Sequence, residues 1–334
     1  MKIPSKEEIR NAFDTMKGDV VDTPLIASPA LADISGADQV YIKMESFQHT
    51  GSFKFRGAYW RCQQLTEEEK KRGIIAYSSG NFAQGLAAAA GRLDIPCKIV
   101  MPDDAPQIKQ NRTAALGGRV ILSETKSGNR EEIAEKLARR IAAEEDLTLL
   151  HPFDAPYVIT GNAATALEVL ESLDRSGMKP PTGVLCPAGG GGFVSGLALG
   201  FHYFTSGMWV SAVEPEGYDG LGQSLQAGKI VPVGGKNPSL CDALKASKPG
   251  ALPFECSRFT GIKSSDVVND NQVSDAMRFA FEKLKIILEP SGAVAIASLL
   301  SSGSYYKGER LILFATGGNI SADSFCKKTG LNHT

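Results

Sequence analysis

Four consecutive glycines, Gly189 to Gly192, separate the apolar run Gly183 to Cys186 from a second apolar stretch, Phe193 to about Phe204. Glycine lets backbone N–H groups converge on an anion, and a following helix N-terminus adds positive potential. The spacing matches neither GxGxxG with an acidic residue ~20 positions on nor GxxxxGK[ST]. A dinucleotide or nucleoside triphosphate is therefore disfavoured, and a single phosphate fits better than a plain tight turn, which needs only one or two glycines. Lys54 sits between Phe53 and Phe55. Desolvation lowers an ammonium pKa, which is what an amine nucleophile requires. Read alone, a lysine so placed more often lays its stem on apolar surface and keeps its head in water. Ser78-Ser79-Gly80-Asn81 and Thr316-Gly317-Gly318-Asn319 each follow an apolar run directly. The first is an anion-ready helix start or simply an N-cap with turn residues. Ligands of open α/β sheets bind at the carboxyl ends of strands, so three such junctions point to one crevice.

The elements that must carry these junctions follow from the apolar pattern. From about residue 73, short apolar runs alternate with helix-like stretches. Strands are expected at Gly73 to Tyr77, Cys97 to Met101, Arg119 to Leu122 and Leu147 to Leu150, with helices over Phe82 to Leu93, Gln107 to Leu116 and Glu131 to Glu145. The strands are continuous apolar runs, which suits a parallel sheet covered on both faces. The pattern then repeats: a helix near Ala163 to Leu173, a strand Gly183 to Cys186, the glycine run and its helix, Trp209 to Val213, a helix from Gln272 to Leu284, and the strand Arg310 to Phe314. The expected fold is α/β, with two open, mostly parallel wound sheets and a cleft between them. The segment Val231 to Phe259, rich in Pro, Gly, Ser and Lys, reads as a long surface excursion bordering the site. The mixed run Thr66 to Arg72 reads as solvated surface.

SFKFRGA, SSGNFAQG, PAGGGG, LEPSGA and TGGN, in this order, resemble the pyridoxal-phosphate enzymes of the tryptophan-synthase β fold (fold type II) and, within them, the serine/threonine dehydratase and serine racemase group. The match spans about Thr23 to Asn319. The resemblance implies a small domain, 73–150, inserted in a larger pyridoxal 5'-phosphate-binding domain formed by 1–72 and 151–334. It implies Lys54 as the Schiff-base lysine, Phe53 beside the cofactor ring, Gly189, Gly190, Gly191 and Gly192 on the phosphate, Asn81 on the ring hydroxyl, Glu289 of LEPSGA among the cofactor contacts and Thr316 at the ring nitrogen. Ser78, Ser79, Gly80 and Asn81 would receive the substrate carboxylate. Lys54 would remove the Cα proton, the β-hydroxyl would leave, and hydrolysis would give a 2-oxo acid and ammonia. A hydroxyl at the ring nitrogen, in place of a carboxylate, would limit carbanion delocalisation and favour elimination over transamination; an unchanged product ratio in Thr316→Asp would oppose this.

Departures from the family pattern bear on specificity. Phe82 stands where a histidine is usual after SSGN and alters the wall near the substrate carboxylate. Glu214 matches a carboxylate that holds Mg²⁺ or Ca²⁺ in some relatives, but Gly220 occupies the later acidic position and Asp219 falls one place early. Arg130 lies where some relatives direct arginine at a second carboxylate, and it equally suits a surface helix end. In racemase-like members a serine at the place of Ser79 serves as acid or base on the face opposite the lysine; here it is expected to position the carboxylate. The chain runs little beyond TGGN, so the regulatory domain of feedback-controlled threonine dehydratases is expected to be missing.

Composition narrows the classes further. Over 334 residues, 36 Lys plus Arg balance 37 Asp plus Glu, which disfavours a nucleic-acid binder. No run reaches the ~18 apolar residues of a membrane span, and MKIPSKEEIR shows no apolar signal core, so a cytoplasmic protein is expected. The six cysteines form no CxxC pair and the four histidines no HxxxH, which leaves metal-hydrolase readings weak. The leading expectation is a homodimeric lyase acting on L-threonine and L-serine. Racemisation or dehydration of 3-hydroxyaspartate or another β-hydroxy amino acid is the alternative. A non-catalytic protein binding an amino acid or a phosphate ligand is the reading from another class.

Overall fold

The structure, a computed structural model, describes residues 2–124, 130–234, 238–263 and 265–331. Ten strands are present among them: β1 (Leu25–Ala27), β2 (Gln39–Lys43), β3 (Ile74–Tyr77), β4 (Cys97–Pro102), β5 (Arg119–Ser123), β6 (Thr148–Leu149), β7 (Gly183–Pro187), β8 (Trp209–Pro215), β9 (Ser265–Val268) and β10 (Arg310–Phe314). They form a six-stranded sheet in the order β1-β2-β10-β7-β8-β9 and a four-stranded sheet in the order β5-β4-β3-β6. Every pairing is parallel except β1 with β2. The central strands are buried along their length, β7 and β10 among them, because helices cover both faces of a parallel sheet. The four-stranded sheet is drawn wholly from residues 74–149, and the six-stranded sheet from the segments on either side.

The expected strands and helices are found with boundaries shifted by a few residues, and three expectations need correction. The helix expected near Ala163 to Leu173 runs over Pro156–Arg175, because Pro156 at its first position is already set for helical φ. The helix expected from Gln272 to Leu284 is α-helical only over Asp270–Phe279 and closes in a π-type turn, Ala280–Leu284, ending at Lys285 in the left-handed region. The excursion Val231 to Phe259, of which 235–237 lie outside the described residues, ends in a helix, Ala251–Thr260, whose Leu252, Phe254 and Cys256 are buried. Pro253 falls in its first turn, where no intrahelical N–H bond is lost.

One buried cluster fixes the segment that carries Lys54. Arg56 Nε donates to Glu45 Oε2 at 2.7 Å and its Nη1 to Glu168 Oε2 at 2.8 Å, while Lys43 Nζ meets Glu168 Oε1 at 2.5 Å. The four side chains come from β2, the turn after it, helix Lys54–Gln63 and helix Pro156–Arg175. Burial alone would raise the Glu168 carboxyl, but Arg56 and Lys43 outweigh it and hold it near 2. Two cations facing two anions leave no uncompensated charge in the core.

Candidate active site

Lys54 is the first residue of helix Lys54–Gln63. The loop before it is tied to the end of β10: Ser52 pairs with Gly317 across an antiparallel bridge, the Phe53 N–H donates to the Thr316 carbonyl at 3.2 Å, and the Gly318 N–H donates to the Gly51 carbonyl at 3.0 Å. SFK and TGGN, some 260 residues apart in sequence, thus become one surface. Helix Asn81–Arg92 closes on the same turn; a Cβ at Gly85 would come within 3.0 Å of the Phe55 nitrogen, so only glycine permits the approach. The Phe53 ring stacks on Phe193 at 4.1 Å between centroids, and the Lys54 Nζ lies 5.0 Å above the Phe53 ring. Burial lowers the Lys54 amine to about 8, with nearby Glu289 acting in the opposite direction. Desolvation disfavours the ammonium form, which prepares the amine as a nucleophile.

Facing it, the tetraglycine bend leaves β7 and enters helix Gly192–Phe204. Gly191 has φ +85°, a region that favours glycine, and a Cβ at Gly190 would sit 2.4 Å from the Phe153 ring. Among the described residues, no hydrogen bond uses the backbone N–H groups of Gly189 to Gly192. Unpaired donors at a helix start suit an anion.

The third wall comes from the end of β3. Asn81 opens helix Asn81–Arg92, and the Gly80 N–H donates to Ser78 Oγ at 3.2 Å. Ser79 Oγ makes no hydrogen bond among the described residues. Asn81 Nδ2 donates to Glu289 Oε1 at 2.5 Å, and Asn319 Nδ2 donates to Asn81 Oδ1 at 2.8 Å. These bonds orient Asn81 between the two sheets. Glu289 is 5% exposed; burial, followed by the nearby Asp242 carboxylate, pushes its carboxyl up to about 8, against the Asn81 bond and Lys109. It is therefore mostly protonated at neutral pH. Thr316 Oγ1 donates to the Ser291 carbonyl at 3.4 Å at the buried end of the pocket.

All of these groups line one cavity of about 590 Å³: Phe53, Lys54, Ser78 to Phe82, Gly189 to Gly192, Glu289 and Thr316, with Arg130 at its margin. The structure thus brings together every residue singled out for cofactor or substrate. Phe82 is 3% exposed, so the aromatic ring forms wall rather than a titratable contact. Several groups of the same cavity escaped the sequence reading, Asp104, Lys109, Phe153 and Asp242 among them. Asp104 pairs with Arg130 at 3.0 Å, and Asp242 with Lys109 at 2.8 Å. Only the irregularity of the 231–259 segment hinted that part of it borders the site. Phe153, in HPFD after β6, backs the glycine bend; no spacing signal announced it.

A pyridoxal phosphate fits the donors present. The unused N–H groups at Gly189 to Gly192 suit its phosphate, the desolvated Lys54 amine its aldehyde, and the amide of Asn81 its ring hydroxyl. Glu214 lies elsewhere, and its carboxylate accepts from the Leu221 and Gly222 N–H groups at 2.9 and 2.8 Å and from Ser265 Oγ at 2.6 Å. It caps helix Gly220–Ala227, and its Oε1 and Oε2 are both engaged. Among the described residues no group of three or more His, Cys, Asp or Glu is placed to hold a metal; His333 lies outside them. Among them, too, no helix is long and apolar enough to cross a membrane.

Comparison with known proteins agrees with this geometry. The family model described as pyridoxal-phosphate dependent enzyme matches residues 16–317. The chain is 38% identical over 314 residues to an L-threonine ammonia-lyase of Thermotoga maritima, covering 94% of this chain and 75% of the relative. It is 34% identical to an L-threo-3-hydroxyaspartate ammonia-lyase of Saccharomyces cerevisiae, covering 96% and 94% of the two chains. The solved structure of maize serine racemase superposes with a TM-score of 0.89 at 30% identity, over 98% of each chain.

Proposed function

The chain belongs to the pyridoxal-phosphate dependent enzyme family, and from that premise we propose that it is an ammonia-lyase, converting L-threonine and L-serine to a 2-oxo acid and ammonia. The observation that carries the reading is the convergence, in one cavity, of a desolvated lysine amine, a bend of unused backbone donors and a helix start flanked by serines. When bound, pyridoxal phosphate supplies an electron sink in conjugation with the substrate amino group, which acidifies the Cα proton. Lys54 would hold the aldehyde end, and its Nζ, when free, would take the proton from Cα; an amine pKa near 8 suits a base working close to neutrality. Gly189 to Gly192 would hold the phosphate, and Asn81, kept in place by Glu289 and Asn319, would hold the ring hydroxyl. Phe53 and Thr316 would contact the ring. The start of helix Asn81–Arg92, with Ser78 and Ser79, takes the substrate carboxylate and so orients Cα toward Lys54. Phe193 and Phe153 give the cavity apolar wall.

The same reading assigns 73–150 to a smaller unit inserted in the larger one, and places the enzyme in the cytoplasm as a homodimer. Racemisation is the second reading, favoured by the free Ser79 hydroxyl on the cavity wall. The deciding experiment is incubation of the purified protein with L-threonine and L-serine, scoring 2-oxo acid, ammonia and D-isomer. A yellow preparation bleached by borohydride, with 2-oxo acid and ammonia in equal amounts and both lost in Lys54→Ala, is expected. A colourless protein that binds no pyridoxal phosphate would leave only the non-catalytic reading.

A further inference from the structure

Besides Lys54, three cations line the cavity: Lys109, Arg130 and Lys245. Lys109 is held by Asp242 at 2.8 Å, and Lys245 lies with its Nζ 6.0 Å from the centre of the Tyr218 ring. Arg130 Nη1 lies 3.0 Å from Asp104 Oδ2. Asp104 belongs to the turn that follows β4, and Arg130 is the first residue of helix Arg130–Glu144, so the pair ties that turn to the helix beside the cavity. The α-carboxylate of an amino acid has its place at the start of helix Asn81–Arg92 and needs none of these cations. A second carboxylate, on the substrate side chain, does need one, and a guanidinium is the group whose paired N–H donors match it best. In this chain that guanidinium already has an acidic partner.

We propose that Asp104 is a specificity-determining residue: by engaging Arg130 it biases the cavity toward β-hydroxy amino acids with uncharged side chains and against those bearing a second carboxylate. The inference rests on the lyase reading above and goes further, since it states which substrates that site prefers. It would let a chain similar to both a threonine ammonia-lyase and a hydroxyaspartate ammonia-lyase carry Arg130 in the cavity and prefer threonine. A dicarboxylate would have to displace Asp104 from Arg130, or bring its own charge against Asp104. Both side chains are about half exposed, 44% for Arg130 and 52% for Asp104, so replacing either leaves the core untouched.

The test compares holoenzyme of the wild type, Asp104→Asn and the double variant Asp104→Asn/Arg130→Gln. For each, kcat/KM is measured with L-threonine and with L-threo-3-hydroxyaspartate, and the affinities of succinate and butyrate, unreactive stand-ins for the two substrate types, are measured by calorimetry. Asp104→Asn is expected to raise the hydroxyaspartate-to-threonine ratio about tenfold, which corresponds to about 1.4 kcal/mol. The gain should appear in KM for the dicarboxylate and be accompanied by tighter succinate but not butyrate binding. Adding Arg130→Gln should erase it. A rise below about threefold, a rise that survives Arg130→Gln, or a wild type that already prefers hydroxyaspartate would overturn the proposal. Should the wild type turn over neither amino acid, the lyase reading fails, and the succinate-to-butyrate comparison still judges Asp104.

Discussion

Replacing Lys54 with methionine should stabilise the cofactor-free protein. The side chains are similar in length, but the ammonium of Lys54 sits in a cavity wall whose burial lowers it from 10.5 to about 8. A drop of that size corresponds to roughly 3 kcal/mol of destabilisation at neutral pH. Water reaching the amine through the open cavity reduces this to about 2 kcal/mol. For a chain of this length the gain amounts to a rise in melting temperature of roughly 3 °C. The sign of the pH dependence follows from the two proton affinities. The unfolded chain holds the lysine proton up to about pH 10.5, whereas the folded chain releases it near 8. The penalty is therefore fully present below 8 and disappears as the pH rises toward 10.5. Protein stripped of cofactor should be unfolded with urea at pH 7 and at pH 10, as wild type and as Lys54→Met. Expected is a stability gain at pH 7 that has largely vanished at pH 10. A variant that is less stable at pH 7, or equally more stable at both, would refute the argument that Lys54 is a desolvated amine.

Other perturbations probe the walls around it. Gly190→Ala drives a methyl into the Phe153 ring, so the dissociation constant for pyridoxal phosphate should rise at least about tenfold by absorbance titration; Gly190→Ala/Phe153→Ala should recover part of the loss, and no recovery would mean that the bend matters for another reason. Arg56→Met leaves Glu45 buried without its cation and Glu168 with Lys43 alone, a loss of about 3–5 kcal/mol by urea unfolding at pH 7. Glu168 is held near 2, below its unfolded value, so its contribution is present above about 4.5 and is lost as the pH falls toward 2; the gap between variant and wild type should close over that interval. Ser79→Ala, assayed with L-serine, should raise KM for pyruvate formation more than it lowers kcat; a matching collapse of kcat together with loss of D-serine would instead make Ser79 a proton carrier.

The site was legible in the sequence to the extent that its chemistry lies in loops directly after strands. Glycine, serine and asparagine placed between an apolar run and a helix have few other uses, and each such junction marked a true carboxyl end of a strand. The charged core was not legible. Lys43, Glu45, Arg56 and Glu168 are residue types that seldom lie fully buried, and the pairing of Lys43 and Arg56 with Glu168 spans more than 100 residues. The same is true of Lys109 with Asp242. The helix Ala251–Thr260 was hidden by a proline that composition counts as a breaker, although at the first turn it breaks nothing. Local pattern reports where the backbone turns; it does not report which distant charge a side chain will meet.

Those distant charges decide what the cavity can hold. Asp104 is matched to Arg130 and Asp242 to Lys109, while Glu289, pushed up to about 8, carries little charge at neutral pH. The acidic residues of the lining therefore contribute little net negative potential. What remains is positive: Lys245, the start of helix Gly192–Phe204 behind the glycine bend, and the start of helix Asn81–Arg92 beside the serines. A phosphate-bearing ligand suits the first of these helix starts and an amino-acid carboxylate the second, and the desolvated amine of Lys54 lines the same cavity. A free amino acid reaches only the second place and a free phosphate only the first. The electrostatics thus favour the cofactor and the substrate together over either alone, and this argues for a lyase rather than a simple binding protein.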